Sequence, residues 1–243
     1  MTVPMSFARY CQFYEHFTGK PHQIEGLRKK YERELAADPT ILTEDEDWRK
    51  TFSTAVRQPT TNPLRVPYFW QQDNGADGWR QCQTSAIAMC LAFKGVNAIR
   101  DDLDYLRYVR KHGDTTHRPP HFGAMREIGF QGFQWHEGGP NHDEGLSAIR
   151  CREEIDNGNP VAVGVLHHGP VHRPIGGGHF IVLIGYTQTH WICHDPYGEL
   201  MLASGGWANR TMSAGRGVKY SFKNLNPRIF VKGPNDGWGW TFL

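Results

Sequence analysis

The sequence predicts an α+β fold preceded by a small helical module, and three observations carry that expectation. Helix-like periodicities fill the first two thirds of the chain, strand-like apolar runs cluster after residue 160, and composition changes near residue 58 at a proline-rich stretch. Helices first and strands later favour α+β over alternating βαβ units. At 243 residues, 39% hydrophobic and 21% charged, the chain can bury a core and is far from the composition of disorder.

In the first region Phe7, Tyr10, Cys11, Tyr14 and Phe17 recur at three- and four-residue steps and Gly19 closes the segment, as a helix with one aromatic stripe would read. A second helix is expected from Pro21, with Ile24, Leu27, Tyr31 and Leu35 on one face. It stops before Asp38-Pro39, because the residue ahead of proline disfavours helix. Thr43 and Glu46 form a T-x-x-E capping box for a third, with Trp48 and Phe52 as its apolar contacts. These make a module over residues 1–58. The prolines at 59, 63 and 67 mark residues 59–65 as an extended linker, and a second domain is expected over 66–243.

That domain mixes elements. Helices are expected at 83–93, ended by Gly95, at 101–111, ended by Gly113, and at 144–156, ended by Asn157-Gly158. Strands follow at 161–166, 179–186 and 191–195. The longest apolar runs are far short of the ~18 residues of a membrane helix, and the N-terminus lacks a signal peptide's apolar core, so a soluble product without membrane insertion is expected. A net charge of +2 gives no reason to expect a nucleic-acid partner. Residues 200–243 nonetheless hold Arg210, Arg216, Lys219, Lys223, Arg228 and Lys232 against Asp236 alone, which reads as a solvated face or as a surface for an anionic polymer. Nothing in the sequence fixes the oligomeric state.

Cys11, Cys82, Cys90, Cys151 and Cys193 form an odd, widely spaced set without a C-x-x-C pair. This argues for free thiols rather than disulfides or a thiolate zinc site. Cys82 stands directly ahead of the 83–93 helix, where unpaired N–H groups and the positive helix end favour thiolate. Cys90 falls on the apolar stripe with Ala86, Ile87 and Leu91, and Cys193 lies inside a strand. A thiolate nucleophile needs a proton acceptor that can re-donate to the leaving amine, usually a histidine held by a carboxylate or amide. His179 begins an apolar strand behind a glycine run. Folding 179–195 as a hairpin centred near Thr187–Gln188 pairs residues whose numbers sum to about 374–376, which sets Asp195 beside His179. Asp195-Pro-Tyr-Gly198 also reads as a β-turn. For the oxyanion, Gln71 and Gln72 upstream of Cys82 are the candidate amide donors.

Val66-Pro-Tyr-Phe-Trp-Gln71, Gly78-Trp-Arg-Gln-Cys82 with Ser85 and Met89, Gly177-Gly-His179 and His194-Asp-Pro-Tyr-Gly198 resemble, in order, the blocks of papain-like cysteine peptidases. The nearest branch resembles the double-glycine leader peptidases of bacteriocin exporters and their stand-alone, partly phage-encoded relatives. The resemblance runs from residue 66 to the C-terminus. It implies a papain-like fold with the nucleophile's helix packed on an antiparallel sheet. It also implies Cys82 as nucleophile, His179 as base and then acid, Asp195 as its orienting partner and Gln71 in the oxyanion hole, with no cofactor. The stretch before Cys82 is longer than the usual spacing. Phage relatives are also similar at Gly113-Asp-Thr-Thr116, at 161–170 and near 233–239, which are expected to line or close the cleft. Gly19-Lys-Pro-His-Gln23 is similar to short modules on wall-associated proteins.

Together these imply a phage endolysin that cuts amide bonds in peptidoglycan stem peptides or cross-links. It would be made in the host cytoplasm and would reach the wall through a holin or equivalent. Three alternatives remain. The first is a protease acting on a protein, in leader removal or virion maturation. The second is an inactive wall-binding or virion protein. The third is a zinc hydrolase using His167, His168, His172, His179 and Asp195, against which stands the absence of H-E-x-x-H. The loop His117-Arg-Pro-Pro-His121 reads as a pH-sensitive lid or as a segment without function.

Overall fold

A computed structural model describes residues 62–139 and 145–243, together with two short strands nearer the N-terminus. The chain forms two compact units, Met1–Gln58 and Pro59–Leu243. In the first, β1 (Val3–Pro4) pairs antiparallel with β2 (Thr43–Glu44). Thr43 and Glu44 are thus extended, and no helix begins at Glu44 as the capping box predicted. The helices expected over 7–17 and 21–37, the body of the third, and Cys11 lie outside the described residues.

The second unit is built on one antiparallel sheet. Its strands are β3 (Phe133–His136), β4 (Val161–His168), β5 (Ile175–Tyr186), β6 (His190–His194), β9 (Val218–Ser221) and β10 (Gly239–Phe242), in the order β3-β10-β4-β5-β6-β9. A separate hairpin joins β7 (Glu199–Leu200) to β8 (Trp207–Asn209). Val161 to Val165 and Phe180 to Ile184 are buried on both faces, so these central strands read as continuous apolar runs rather than alternating ones. Of the basic C-terminal residues, Arg210, Arg216, Lys219, Lys223 and Lys232 are exposed, as a solvated face requires, while the chain end supplies β10 next to β4, with Trp240 and Phe242 fully buried. Arg228 from the same basic tail is also buried, and its guanidinium donates to the carbonyls of Leu166, His168, Gly169 and Leu202.

Among the described residues six α-helices accompany the sheet: α1 (Cys82–Phe93), α2 (Asp102–His112), α3 (Arg118–Glu127), α4 (Ala148–Asp156), α5 (Met212–Gly215) and α6 (Phe222–Ile229). α1 lies between β5 and α2 and is buried all round from Gln83 to Leu91, which is why it lacks a one-sided stripe. Asp101 caps α2 by accepting the Asp104 N–H. α4 starts at Ala148, capped by Ser147, because Leu146 bridges to Gly237 instead of continuing a helix.

Two expectations need correction. The 117–121 loop is the start of α3, whose prolines occupy the first turn, where a missing N–H costs nothing. His121 is fully buried there. It hydrogen-bonds Thr115 O at 2.8 Å and the Tyr105 hydroxyl at 3.2 Å, and burial pushes its pKa down to about 4, so it is a neutral strut rather than a lid. Likewise Asn62 to Arg65 do not run free as a linker. Leu64 N–H donates to Ile184 O at 2.7 Å, at the bulge between Leu183 and Gly185, and the Asn62 amide bonds both backbone groups of Tyr186.

Candidate active site

Cys82 is the first residue of α1 and stays partly exposed, whereas Cys90, Cys151 and Cys193 are buried. Burial pushes its thiol pKa up. The hydrogen bond and charge of His179, with the backbone N–H groups of Phe180 and Gln83, outweigh burial and hold it below the ordinary value. Burial dominates at Cys90, Cys193 and Cys151, and all three thiols are pushed up, the charge of Lys94 offsetting part of the effect at Cys90. The four described cysteines therefore divide by environment, with a thiolate favoured at Cys82 alone.

His179 sits on β5 opposite Val165, with Nε2 2.7 Å from Asp195 Oδ1. That contact leaves Nδ1 for the sulfur. Burial pulls the imidazole down, but the Asp195 carboxylate and then Cys82 raise it to about 10. Both directions favour an imidazolium–thiolate pair. Ladder partners on β5 and β6 sum to 376 at Val182–His194 and to 377 beyond the bulge, close to the hairpin expected from sequence. Asp195 lies just past β6 and reaches His179 diagonally across the ladder.

Four further groups hold Asp195. Tyr197 N–H donates to Oδ1 at 3.0 Å and the Tyr220 hydroxyl to Oδ2 at 3.0 Å; Asp195 N–H donates to Gly215 O, and the Tyr68 hydroxyl donates to Asp195 O. Tyr220 in turn accepts the Leu200 N–H at 2.8 Å. Tyr220 carries no local sequence signal, since its role depends on β9 pairing with β6 across a long connection. His194 was also missed as a tie. Its Nε2–H donates to Val66 O and its Nδ1 accepts from Gly217 N–H, which makes it the neutral tautomer.

The segment that carries Gln71 is docked on this side, because Gln71 N–H donates to Pro196 O at 3.0 Å. Gln71 is fully buried. Its Nε2 donates to Gly78 O at 2.7 Å, which uses one amide hydrogen and leaves the other. Gln72 is less buried, and its Nε2 has no partner among the described residues. The long stretch before Cys82 winds into a 3-10 helix, Gly75–Arg80, packed so close that a Cβ on Gly78 would lie 2.5 Å from Gln71 O. Arg80 then bridges to Asp114 at 2.8 Å, which brings the Gly113–Thr116 motif against the loop of the nucleophile.

Above His179 an aromatic wall forms from Trp207, ring centroid at 4.8 Å, and Tyr197 at 6.3 Å, with His167 at 6.0 Å. Burial, then the charge of His179, push the His167 pKa down to about 4, so it stands neutral beside the imidazolium. Trp238 from the C-terminal motif covers Gly164, where no Cβ would fit. Among the described residues no group of three or more His, Cys, Asp or Glu is placed to hold a metal ion.

Residues 63–215 match the Peptidase_C39 like family. A crystal structure described as that of a C39-like peptidase from Bacillus anthracis is similar at 14% identity and TM-score 0.48, over 75% of this chain and 98% of that one. No curated protein matches the sequence.

Proposed function

This chain belongs to the Peptidase_C39 like family, a family of cysteine peptidases with a mixed α+β fold, and from that premise we propose that it is a phage endolysin-type hydrolase of peptidoglycan. The observation that carries the chemistry is the Cys82–His179–Asp195 line, with the thiol at a helix start and the imidazole anchored on a buried carboxylate. The Cys82 thiolate attacks a wall-peptide carbonyl carbon. The displaced electron pair moves onto the carbonyl oxygen, where Cys82 N–H and the free amide hydrogen of Gln71 receive it. His179 Nδ1–H gives its proton to the leaving nitrogen, the C–N bond breaks, and a thioester remains. Water, losing a proton to His179, then attacks the thioester and expels thiolate.

The wall as substrate is supported by the resemblance to phage relatives and by the Gly19–Gln23 motif. Residues 1–58 are proposed as the wall-binding or accessory part. On this reading the protein is made in the host cytoplasm and meets the wall after a holin opens the membrane. The test is digestion of purified peptidoglycan by wild type and by Cys82→Ser, with iodoacetamide and EDTA arms and mass spectrometry of the fragments. Release that Cys82→Ser and iodoacetamide abolish and EDTA does not is the expected result, and the new termini name the bond. An untouched wall with a cleaved protein substrate overturns the endolysin reading and keeps the peptidase.

A further inference from the structure

The general acid fixes which side of the cleft takes the leaving group. His179 protonates the departing nitrogen, so the released fragment lies over the wall that flanks His179, while the acyl half lies toward Gln71 and the start of α1. That wall is Trp207 and Tyr197, whose ring centroids are 4.3 Å apart, and its outer edge is Arg210, with Cζ 5.5 Å from the Tyr197 centroid. Arg210 is exposed, yet its backbone is fixed against the catalytic turn. Gly198, at φ +130°, approaches so closely that a Cβ there would stand 2.3 Å from Asn209 O and 2.8 Å from Arg210 Cα.

Among the described residues Arg80, Arg100, Arg107, Arg110 and Arg118 each pair with a carboxylate; Arg210 does not, and neither does Arg216 over the Tyr68 ring, but of these two only Arg210 lies over a ring of the wall beside His179. A guanidinium stacked on an aromatic face is pre-organised for carboxylate, because stacking leaves the in-plane N–H fork open. Its distance from His179 is bounded by the 6.3 Å and 5.5 Å steps through Tyr197 laid end to end. That reach is about three extended residues at ~3.4 Å each.

We propose that Arg210 binds a carboxylate on the leaving fragment, within about three residues of the scissile nitrogen. The preferred substrates are short acidic or carboxylate-ended peptides, which rests on the peptide-hydrolase reading above and narrows it. The carboxylate has two possible sources, the chain end of a wall stem peptide or an acidic side chain in a protein.

Three probes separate them: N-acetyl-Lys-D-Ala-D-Ala, its C-terminal carboxamide, and the carboxamide with Glu in the last position. Binding is read by tryptophan fluorescence on Cys82→Ala protein, so that the result does not depend on turnover. The free acid is expected to bind about tenfold tighter than its carboxamide, as one charge-assisted contact allows. Arg210→Gln should erase that ratio, Arg210→Lys should keep part of it, and added salt should shrink it. Discrimination of the Glu peptide as well assigns the site to any carboxylate. Discrimination of the free acid alone assigns it to chain ends. Equal binding of acid and carboxamide, or a ratio that survives Arg210→Gln, overturns the proposal. If the ratio behaves as expected but wild type cuts neither these peptides nor the wall, the hydrolase reading falls and the carboxylate site stands.

Discussion

The two sides of the site differ in how far their polar groups are already satisfied. On the base side, Asp195 has partners for both carboxylate oxygens and for its backbone N–H and C=O. His167 Nδ1 is the exception there. On the nucleophile side, between residues 70 and 83, Trp70 Nε1, Gln72 Nε2, Arg80 Nε and Gln83 Nε2 are buried donors without a partner among the described residues, and Gln71 Oε1 and Asn74 Oδ1 are acceptors without one. A buried polar group left unpaired costs ~1–3 kcal/mol, and such groups concentrate where a ligand supplies the missing partner. The base side is built to hold charge before substrate arrives. The nucleophile side leaves part of its hydrogen-bonding capacity unused within the described residues.

The change expected to break this comparison most completely is His179→Ala. Loss of the imidazolium removes the proton donor and returns the Cys82 thiol toward its ordinary range, so turnover should fall by ~10³-fold or more. In wild type the ion pair exists above the lowered thiol pKa and below about 10, where His179 deprotonates. Iodoacetamide labelling of Cys82 should therefore persist below the ordinary thiol range and fall only on the acid side. In His179→Ala the labelling curve should move up into the ordinary thiol range or beyond, because burial then acts without the imidazolium to oppose it. A curve unchanged by the substitution would mean that the helix start alone makes the thiolate.

On the nucleophile side the sharpest comparison is between neighbours. Gln71 is fixed by Gly78 O and Pro196 O with one amide hydrogen to spare, so Gln71→Ala should lower kcat by ~10²–10³-fold, the usual loss of one oxyanion donor. Gln72→Ala should change kcat by less than ~10-fold and act mainly on KM, as a ground-state contact does. The reverse pattern in steady-state kinetics would reassign the oxyanion donor.

Asp195→Asn keeps a similar shape and an acceptor for His179 Nε2–H but removes the charge that raises the imidazole. Activity should drop by ~10–100-fold and the alkaline limb of kcat/KM should move down from near pH 10. An unmoved limb would show that orientation, not charge, is what the base side supplies.

Legibility in the sequence follows the same division. The α1 start, the β5–β6 hairpin and the Cys82, His179 and Asp195 positions could be read because each depends on local pattern and short-range pairing. The residues around them could not. Tyr220 and Trp207 reach the site through separate strands, and β10 inserts between β3 and β4 from the far end of the chain, which no local periodicity encodes. α3 was hidden because consecutive prolines suggest a loop unless they fall in a first turn. The segment before Cys82 was read as an oddity of spacing, and its 3-10 winding under Gly78 depends on a tertiary contact with Gln71.

The smallest expected effect tests whether the base side is orienting or merely packed. Tyr220 is buried, and its hydroxyl joins Leu200 N–H to Asp195 Oδ2, so Tyr220→Phe leaves one donor and one acceptor short of a partner, at ~1–3 kcal/mol of stability. Stability alone would not distinguish the roles, because any buried hydroxyl could register there. With Oδ2 released, the carboxylate can turn about its own axis while Tyr197 N–H still holds Oδ1, and alignment with His179 Nε2 is lost for part of the time. The imidazole then loses some of the support that holds it near 10. A fall in kcat of up to ~10-fold should accompany a downward move of the alkaline limb, smaller than in Asp195→Asn. A destabilised protein with the wild-type pH profile would make Tyr220 a packing residue and would leave the orientation of Asp195 to Tyr197 N–H and the backbone ties through Gly215 and Tyr68.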